Sequence, residues 1–254
     1  MALLTIGGVE IGGDNPCRFV AEVGANHNGS YDTAYNLVRA ARSCGADFIK
    51  FQAYTMDEII GLRGDGPAPE PWARYGTLRQ LYERAITPLD WLPSLFAYAR
   101  KIGLVPFASV FGAESGAALE ALDCPAYKIA RYDNGQAHLL DAVYRTGKTM
   151  LVSAARHQRA EWFADDVVWL YCPPGYPAVV EWLPTFDARD FLGLSSHCLD
   201  PFLPIAAVSR GAKLLEYHLQ LDDVPAELDG SFSLTAHQFG QMVASVRQTE
   251  RLLA

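Results

Sequence analysis

The chain has 254 residues, of which 50% are hydrophobic and 20% charged, and this composition is typical of a globular domain with a large core. Its formal net charge of -8, with acidic and basic residues interspersed, argues against a nucleic-acid partner. Five scattered cysteines with no Cys-x-x-Cys pair indicate reduced core residues. We find neither a signal peptide nor an apolar run long enough to span a membrane, so we expect a cytoplasmic protein without a membrane partner.

The first predicted element is a small β-hairpin within residues 1–15, because "LTIGGVEIGG" (4–13) alternates around a Gly-Gly turn. We expect it to close the N-terminal mouth of the fold. Eight short apolar runs rich in β-forming residues then predict strands. They span residues 18–23, 47–52, 104–111, 126–131, 149–154, 167–172, 191–197 and 214–219.

Segments with helical periodicity separate most of these strands. They span residues 30–45, 87–103, 113–123, 136–147, 200–211 and 235–253. Ser30 and Thr87 are predicted helix caps, with Pro88 at the first helical position. Residues 53–76, which include "RGDGPAPEPW", predict a long irregular loop over the C-terminal ends of the strands, where it would act as a lid or substrate loop.

Eight strands that alternate with helices in 254 residues predict an α/β protein, a (β/α)8 TIM barrel in one domain covering 1–254. The alternative is a doubly wound open sheet. No Gly-x-Gly-x-x-Gly follows the first predicted strand, which disfavours that alternative.

Polar side chains lie at or near the end of every predicted strand. They are Glu22, Lys50, Gln52, Ser109, Lys128, Arg131, Ser153, Tyr176, Ser195, His197, Glu216 and His218. Because catalytic groups of such barrels sit at the C-terminal strand ends, we expect these side chains to surround one pocket. A single Lys or Ser in such a strand can also simply fill an interior layer, so the prediction depends on the whole pattern.

Two lysines in buried strands need anionic partners, because an unpaired buried ammonium is costly. Lys50 and Lys128 lie on alternate strands, whose side chains share a layer. Together with Arg131 and several hydroxyls they predict a di-anionic ligand, such as a phosphate that also carries a carboxylate. His197 and His218 end neighbouring strands, and they predict a partial metal site; the alternative is two ordinary hydrogen-bonded histidines.

Nine segments carry a resemblance to a known family. They are "AEVGANHNG", "ADFIKFQA", "PFASVF", "AYKIA", "GKTMLVSAA", "YPA", "GLSSHCLD", "GAKLLEYHLQLD" and "LDGSFSLTAHQF". In order and spacing the chain resembles the sialic acid synthase (NeuB-like) family over essentially its whole length. The resemblance implies a transferase of carbohydrate biosynthesis. It would condense phosphoenolpyruvate with an aldose such as N-acetylmannosamine, release phosphate, and make a nonulosonic acid, a 2-keto-3-deoxy sugar acid.

The resemblance also implies roles for individual residues. Phosphoenolpyruvate would be held by Lys50, Ser109, Lys128, Ser153 and Ser195, the metal by His197 and His218, and the acceptor sugar by Gln52, Tyr176 and Asp229, while Glu22 would act as acid and base. It implies a divalent ion, manganese or alternatively magnesium. It further implies a homodimer.

The chain departs from the family pattern at several positions. Arg131 replaces a Ser, Ser196 replaces an Asp, and Pro174 and Gly175 stand where an Asn is expected. We expect Arg131 to bind phosphoenolpyruvate. The alternatives are that it reaches an acidic acceptor, that it blocks the donor pocket, or that Asp133 holds its guanidinium aside. The antifreeze-like domain that often follows the barrel is expected to be absent.

In the predicted site, the part that would bind the acceptor sugar is therefore altered more than the part that would bind phosphoenolpyruvate. Three hypotheses remain. The first is a synthase with an N-acetylmannosamine-like or an altered aldose acceptor. The second is a Schiff-base aldolase that uses Lys50 or Lys128. The third is a non-catalytic barrel that binds a ligand or a partner protein.

Overall fold

The computed structural model describes residues 3–155 and 167–253. Eight parallel strands follow one another around a closed sheet, since the last of them pairs with both its predecessor and the first. They are β3 (Arg18–Glu22), β4 (Phe48–Ala53), β5 (Val105–Val110), β6 (Ala126–Ile129), β7 (Thr149–Ala154), β8 (Val167–Tyr171), β9 (Gly193–Ser196) and β10 (Leu214–Gln220). The prediction of a (β/α)8 barrel is confirmed, and each predicted strand is present.

Two further strands precede the barrel, β1 (Leu4–Ile6) and β2 (Val9–Ile11), and they form the predicted antiparallel hairpin. Gly7 and Gly8 make its turn with positive φ angles of 54° and 84°. The turn lies against Val105, the first residue of β5, so the hairpin sits at the N-terminal end of the barrel as expected. A short strand β11 (Leu234–Thr235) extends the sheet beside the end of β10.

Helices pack around the strands, which are almost entirely buried. They are α1 (Tyr31–Ser43), α2 (Met56–Arg63), α3 (Leu78–Ala85), α4 (Leu92–Lys101), α5 (Ala113–Glu120), α6 (Ala137–Tyr144), α7 (Leu203–Ser209) and α8 (Ala236–Leu253). Ser30 caps α1 as predicted, because its Oγ accepts a hydrogen bond from the Thr33 amide at 3.2 Å. Within the described ranges, none of these helices combines the length and the apolar character of a membrane span.

The helix predicted over 87–103 begins later than expected. Pro88 has extended backbone angles (φ -54°, ψ 130°), one 3-10 turn follows it, and α4 starts at Leu92. The Thr87 hydroxyl does not cap the helix but lies 3.1 Å from His27 Nε2. A second proline, Pro93, occupies the first turn of α4, where a missing amide proton costs little.

The segment predicted as one irregular loop over 53–76 contains α2. Thr55 and Glu58 form a capping box at its start, in which each side chain accepts a hydrogen bond from the other residue's amide. Residues 64–77 are the part that remains mostly irregular, and α3 follows. The additional α2 and α3 give this connection a helical framework above the C-terminal strand ends.

Candidate active site

The tip of β3 is shaped by a glycine. Gly24 follows Glu22 by two residues and has a φ of 52°, in the region that favours glycine. A Cβ at this position would lie 2.6 Å from Asp229 Oδ2 and 2.8 Å from His218 Nδ1, which leaves no room for a side chain. The next residue, Ala25, donates its amide to Asp229 Oδ2 at 3.0 Å. The turn therefore brings Glu22, His218 and Asp229 to one place.

The polar residues that follow in "GANHNG" hold the loop in position. The Asn26 amide group donates to the carbonyl of Leu219 at 2.8 Å, at the end of the neighbouring strand β10. His27 is fully buried beside Thr87. The strand-tip motif therefore places one chemical group, Glu22, in the pocket, and its other polar residues are structural.

All the side chains predicted for the site line one cavity of about 510 Å³ at the C-terminal end of the barrel. They are Glu22, Lys50, Gln52, Ser109, Lys128, Arg131, Ser153, Tyr176, Ser195, His197, His218 and Asp229. Their roles stay predictions, but the structure brings every one of them together. Ser196, one of the departures from the family pattern, is buried, and its hydroxyl accepts the Cys198 amide instead.

The bottom of the cavity is a charged floor formed by Glu22, Lys50, Lys128 and Glu216 with the hydroxyls of Ser109, Ser153 and Ser195. Glu216 lies at its centre, although sequence reasoning assigned it no role. Its Oε1 accepts hydrogen bonds from Lys50 Nζ at 2.9 Å and from the Ser195 hydroxyl at 2.8 Å, and Lys128 Nζ lies 3.7 Å away. Burial by itself would raise the pKa of Glu216, but Lys128 and Lys50 outweigh it and lower the pKa to about 2. The available signal was an acid in the buried strand "LLEYHL", on the same face as His218.

The two lysines are buried in different electrostatic surroundings. Burial opposes the charge of Lys50, but Glu216 and Glu22 outweigh it and raise its pKa. Glu22 Oε2 lies 3.3 Å from Lys50 Nζ. For Lys128, burial dominates and the attraction of Glu216 offsets only part of it, so its pKa is lowered. Lys128 Nζ donates to the Ser153 hydroxyl at 2.6 Å.

Arg131 is a cation without an acidic partner among the described residues. Its guanidinium carbon lies 4.8 Å from the ring centre of Tyr132, and its buried Nε has no hydrogen-bond partner. Asp133, the alternative partner considered from the sequence, is engaged by Arg63, with Nη2–Oδ2 at 2.6 Å and Nε–Oδ1 at 3.2 Å. Arg131 is therefore left free to meet a ligand in the cavity.

The two histidines at the ends of β9 and β10 face each other, with ring centres 5.3 Å apart. The Nδ1 atoms of His197 and His218 are buried and have no hydrogen-bond partner among the described residues. Burial, assisted by His218, lowers the pKa of His197 well below its usual range, which favours a neutral imidazole. His218 Nδ1 lies 3.5 Å from Asp229 Oδ2.

The family model for the NeuB family matches residues 37–254, which is most of the chain. The chain belongs to the NeuB family. It is 32% identical over 259 residues to the pseudaminic acid synthase of Helicobacter pylori, covering 92% of this chain and 74% of that protein. This relative is a named synthase, which confirms the prediction of an enzyme of the transferase kind.

Solved structures agree with the fold. The crystal structure of the spore coat polysaccharide biosynthesis protein SpsE of Bacillus subtilis matches with a TM-score of 0.79 and 29% identity, over 99% of this chain and 73% of that one. The sialic acid synthetase of Leptospira borgpetersenii matches with a TM-score of 0.84 and 23% identity, over 100% of this chain and 90% of that one. At that identity the second match supports the fold alone.

Above the charged floor, the cavity of this NeuB chain is walled by aromatic rings. The Tyr176 ring lies at the centre, 5.1 Å from Trp72, 5.2 Å from Phe232 and 6.0 Å from Tyr132, and it also packs 4.2 Å from His197. Further apolar residues complete this aromatic wall: Leu62, Pro67, Pro69, Leu78, Leu81, Phe111 and Leu228. Of these residues, sequence reasoning identified only Tyr176.

The wall is held by hydrogen bonds to backbone carbonyls. Trp72 Nε1 donates to the Leu228 carbonyl at 2.9 Å, and the Tyr75 hydroxyl donates to the Glu227 carbonyl at 3.0 Å. The amide of Glu227 in turn donates to Asn28 Oδ1 at 3.0 Å. Residues 64–77 are thus tied to the segment that follows β10, which explains why distant parts of the sequence build one surface.

Proposed function

We propose that the chain condenses phosphoenolpyruvate with an open-chain aldose, releasing phosphate and forming a 2-keto-3-deoxy sugar acid. One observation carries this proposal. Two buried lysines share a single buried glutamate inside a ring of serine hydroxyls, with a free arginine beside them. The similarity to a pseudaminic acid synthase supports the same reaction class.

The charge balance of the floor favours a small, strongly anionic donor. Glu22 and Glu216 balance Lys50 and Lys128, so these four groups alone have no net charge when ionised. Arg131 adds the unbalanced positive charge. A phosphate and a carboxylate on one donor would meet a guanidinium, two ammonium groups and several hydroxyls, which can replace the water lost on binding.

The hydroxyls are placed to orient this donor. Ser109 lies 3.4 Å from Lys50 Nζ, and Ser153 and Ser195 contact Lys128 and Glu216. Ser109 and Ser153 accept from the lysines, so each can turn its own proton toward a phosphate oxygen while it keeps this contact, whereas the Ser195 proton is already donated to Glu216. The donor would therefore bind in one orientation, with its reactive methylene carbon toward the open side of the cavity.

His197 and His218 fit a divalent ion, manganese or alternatively magnesium. Both histidines have an unpartnered Nδ1 atom, and the low pKa of His197 favours its neutral, metal-binding form. No group of three or more candidate ligand side chains occurs in the parts of the chain that the structure describes, so substrate and water would complete the ligand set. A bound ion would polarise the aldehyde carbonyl. Asp229 Oδ2 lies 3.5 Å from the same nitrogen of His218, so its negative charge would favour a cation there.

Glu22 is placed for proton transfer at the donor. In the condensation, the methylene carbon of phosphoenolpyruvate bonds to the aldehyde carbon, and the donor's central carbon becomes electron-poor. Water adds to that carbon and gives a proton to Glu22, whose Oε1 is held by Gln52 at 3.0 Å. The C–O bond to phosphate then breaks to give the keto group, the hydroxyl proton of the intermediate leaves with the phosphate, and the new alkoxide takes up the proton held by Glu22. Lys50 and Lys128 hold the departing phosphate.

The aromatic wall favours an acceptor with an apolar face. Tyr176 and Trp72 present ring surfaces to the cavity, and such surfaces pack against the C–H groups of a sugar. Gln52 and Asp229 are the polar groups predicted to meet the acceptor, and both already have a protein partner. We therefore propose an acylamino or deoxy aldose in preference to a fully hydroxylated one.

Phosphate release from phosphoenolpyruvate tests the function, measured with manganese across a panel of acylamino, deoxy and fully hydroxylated aldoses. We expect release with at least one acylamino or deoxy aldose, and none in a Glu22→Gln variant. If no aldose supports release, the non-catalytic hypothesis replaces the synthase. A borohydride-trapped adduct of pyruvate on Lys50 or Lys128 would instead identify a Schiff-base aldolase.

Homodimerisation stays a prediction of the family resemblance, and a cytoplasmic location stays a prediction of the sequence analysis. Light scattering at micromolar concentration is expected to give twice the chain mass of 27.9 kDa. A monomer would contradict the first prediction.

A further inference from the structure

Arg63 is the last residue of α2, and it joins the helical connection after β4 to the tip of β6. Its guanidinium forms a two-point ion pair with Asp133, at 2.6 and 3.2 Å, and also a hydrogen bond with the Tyr82 hydroxyl. The guanidinium carbon lies 5.5 Å from the ring centre of Phe111. Asp133 is buried, and a two-point contact to a buried carboxylate is a strong interaction.

Arg63 and Arg131 both contact the ring of Tyr132. The guanidinium carbons lie 5.8 Å and 4.8 Å from its centre. Two cations and one buried carboxylate, Asp133, thus occupy a small part of the cavity rim, and the carboxylate is taken by Arg63. Arg131 has no ion pair among the described residues.

We propose that Arg63 is a positioning residue for the donor site: by holding Asp133, it leaves the Arg131 guanidinium available to the donor anion. This inference rests on the proposed function, in which Arg131 binds phosphoenolpyruvate. Without the charge of Arg63, the buried Asp133 carboxylate would be unpaired, which is strongly unfavourable. Arg131, which shares the Tyr132 ring with Arg63, is the nearby cation that lacks an acidic partner among the described residues.

If Arg63 no longer holds Asp133, Arg131 is the cation with which Asp133 would pair, because both lysines already lie beside acidic groups. Lys50 is already paired with Glu22 and Glu216, and Lys128 lies beside Glu216. An ion pair between Asp133 and Arg131 would cancel the unbalanced positive charge of the floor. The loss of Arg63 should therefore act on phosphoenolpyruvate binding, although the contacts of Arg63 in the described part of the chain are with Asp133 and aromatic side chains and not with the floor.

The test measures phosphoenolpyruvate binding by calorimetry in the presence of manganese. Arg63→Gln is expected to raise the dissociation constant about tenfold, the effect of one lost charge-assisted contact. Asp133→Asn alone is expected to stay within about twofold of the wild type. In the double variant, the uncharged amide that replaces the carboxylate cannot neutralise Arg131, so binding should return to within about twofold of the wild type. A merely structural role of Arg63 would not be rescued in this way.

Two further variants sharpen the test. In an Arg131→Ser background, Arg63→Gln should cause no additional loss of affinity, because the guanidinium that the released Asp133 would neutralise is already absent. Arg63→Lys keeps the charge but cannot form the two-point contact, so we expect a roughly threefold loss that Asp133→Asn also reverses. This milder change serves as the test if Arg63→Gln does not fold, which thermal unfolding will reveal.

The inference is overturned if the Arg63 variants bind phosphoenolpyruvate as the wild type does, or if Asp133→Asn fails to restore binding. In either case the wild-type chain still binds the donor, so the proposed function stands. If the wild-type chain does not bind phosphoenolpyruvate at all, the proposed function fails, and the inference fails with it.

Discussion

The floor and the aromatic wall of the cavity are built in opposite ways. The floor consists of charged and hydroxyl side chains on the barrel strands, and Glu216 contacts both Lys50 and Ser195 and lies near Lys128. The wall consists mostly of apolar side chains from connections between strands, and backbone carbonyls hold Trp72 and Tyr75 in place. Barrel geometry thus fixes the groups that we propose perform the chemistry, while the connections shape the space that we propose for a second substrate.

The largest effect is expected from removing the histidines that bridge floor and wall. His197→Ala and His218→Ala should each lower manganese-dependent phosphate release by at least about 100-fold, because each removes a proposed metal ligand. His138→Ala is the matched control, since His138 is exposed on α6 outside the cavity. The effect is measured as the rate of phosphate release during a manganese titration. A double variant that still binds manganese as tightly as the wild type would end the metal assignment.

The floor should also dominate stability. Glu216→Gln leaves Lys50 with Glu22 alone and removes the acid beside Lys128, so we expect a loss of about 3–5 kcal/mol in the free energy of unfolding. Urea denaturation at neutral pH measures this loss. Asp141→Asn, which breaks an exposed ion pair with Arg145, should cost less than about 1 kcal/mol. Equal losses in the two variants would show that the floor is not under this electrostatic constraint.

The pH dependence of unfolding provides an independent measurement of the same group. The pKa of Glu216 is lowered from 4.5 to about 2 in the folded chain, so its contribution is fully present above pH 4.5 and is lost as the pH falls toward 2. The shift corresponds to about 3 kcal/mol. The free energy of unfolding should therefore decline less steeply across this range in Glu216→Gln than in the wild type. Parallel pH profiles would contradict the low pKa.

The same division explains what the sequence could predict. The floor lysines lie in strands with a clear apolar pattern, and His197 follows another such strand, so Lys50, Lys128 and His197 could be placed in one pocket without a structure. The role of Glu216 was missed because the position of a residue along its strand does not reveal which side chains it meets across the barrel. Trp72 and Phe232 were missed because their positions depend on contacts between distant irregular segments.

Arg131→Ser is expected to weaken binding of the donor at the floor without affecting binding of the acceptor at the wall. We expect the dissociation constant for phosphoenolpyruvate to rise about tenfold, for the loss of one charge-assisted contact, and the KM for the aldose to stay unchanged. Calorimetry and steady-state kinetics give the two numbers. Tighter binding of phosphoenolpyruvate by Arg131→Ser would show that the arginine obstructs the site, and it would favour the non-catalytic hypothesis.

The smallest effect is expected at the wall, from Trp72. Its ring packs beside Tyr176 and Phe232, and an aromatic contact of this kind contributes about 0.5–1.5 kcal/mol beyond its buried area. Trp72→Leu should therefore raise the KM for the aldose roughly threefold to tenfold, with phosphoenolpyruvate binding unchanged.

Trp72→Phe is the control: it keeps a ring but loses the hydrogen bond to the Leu228 carbonyl, so it distinguishes loss of the ring from loss of the hydrogen bond. If the ring surface binds the acceptor, Trp72→Phe should lie closer to the wild type than Trp72→Leu. If both variants weaken phosphoenolpyruvate binding as much as aldose binding, the wall supports the floor and does not select the acceptor.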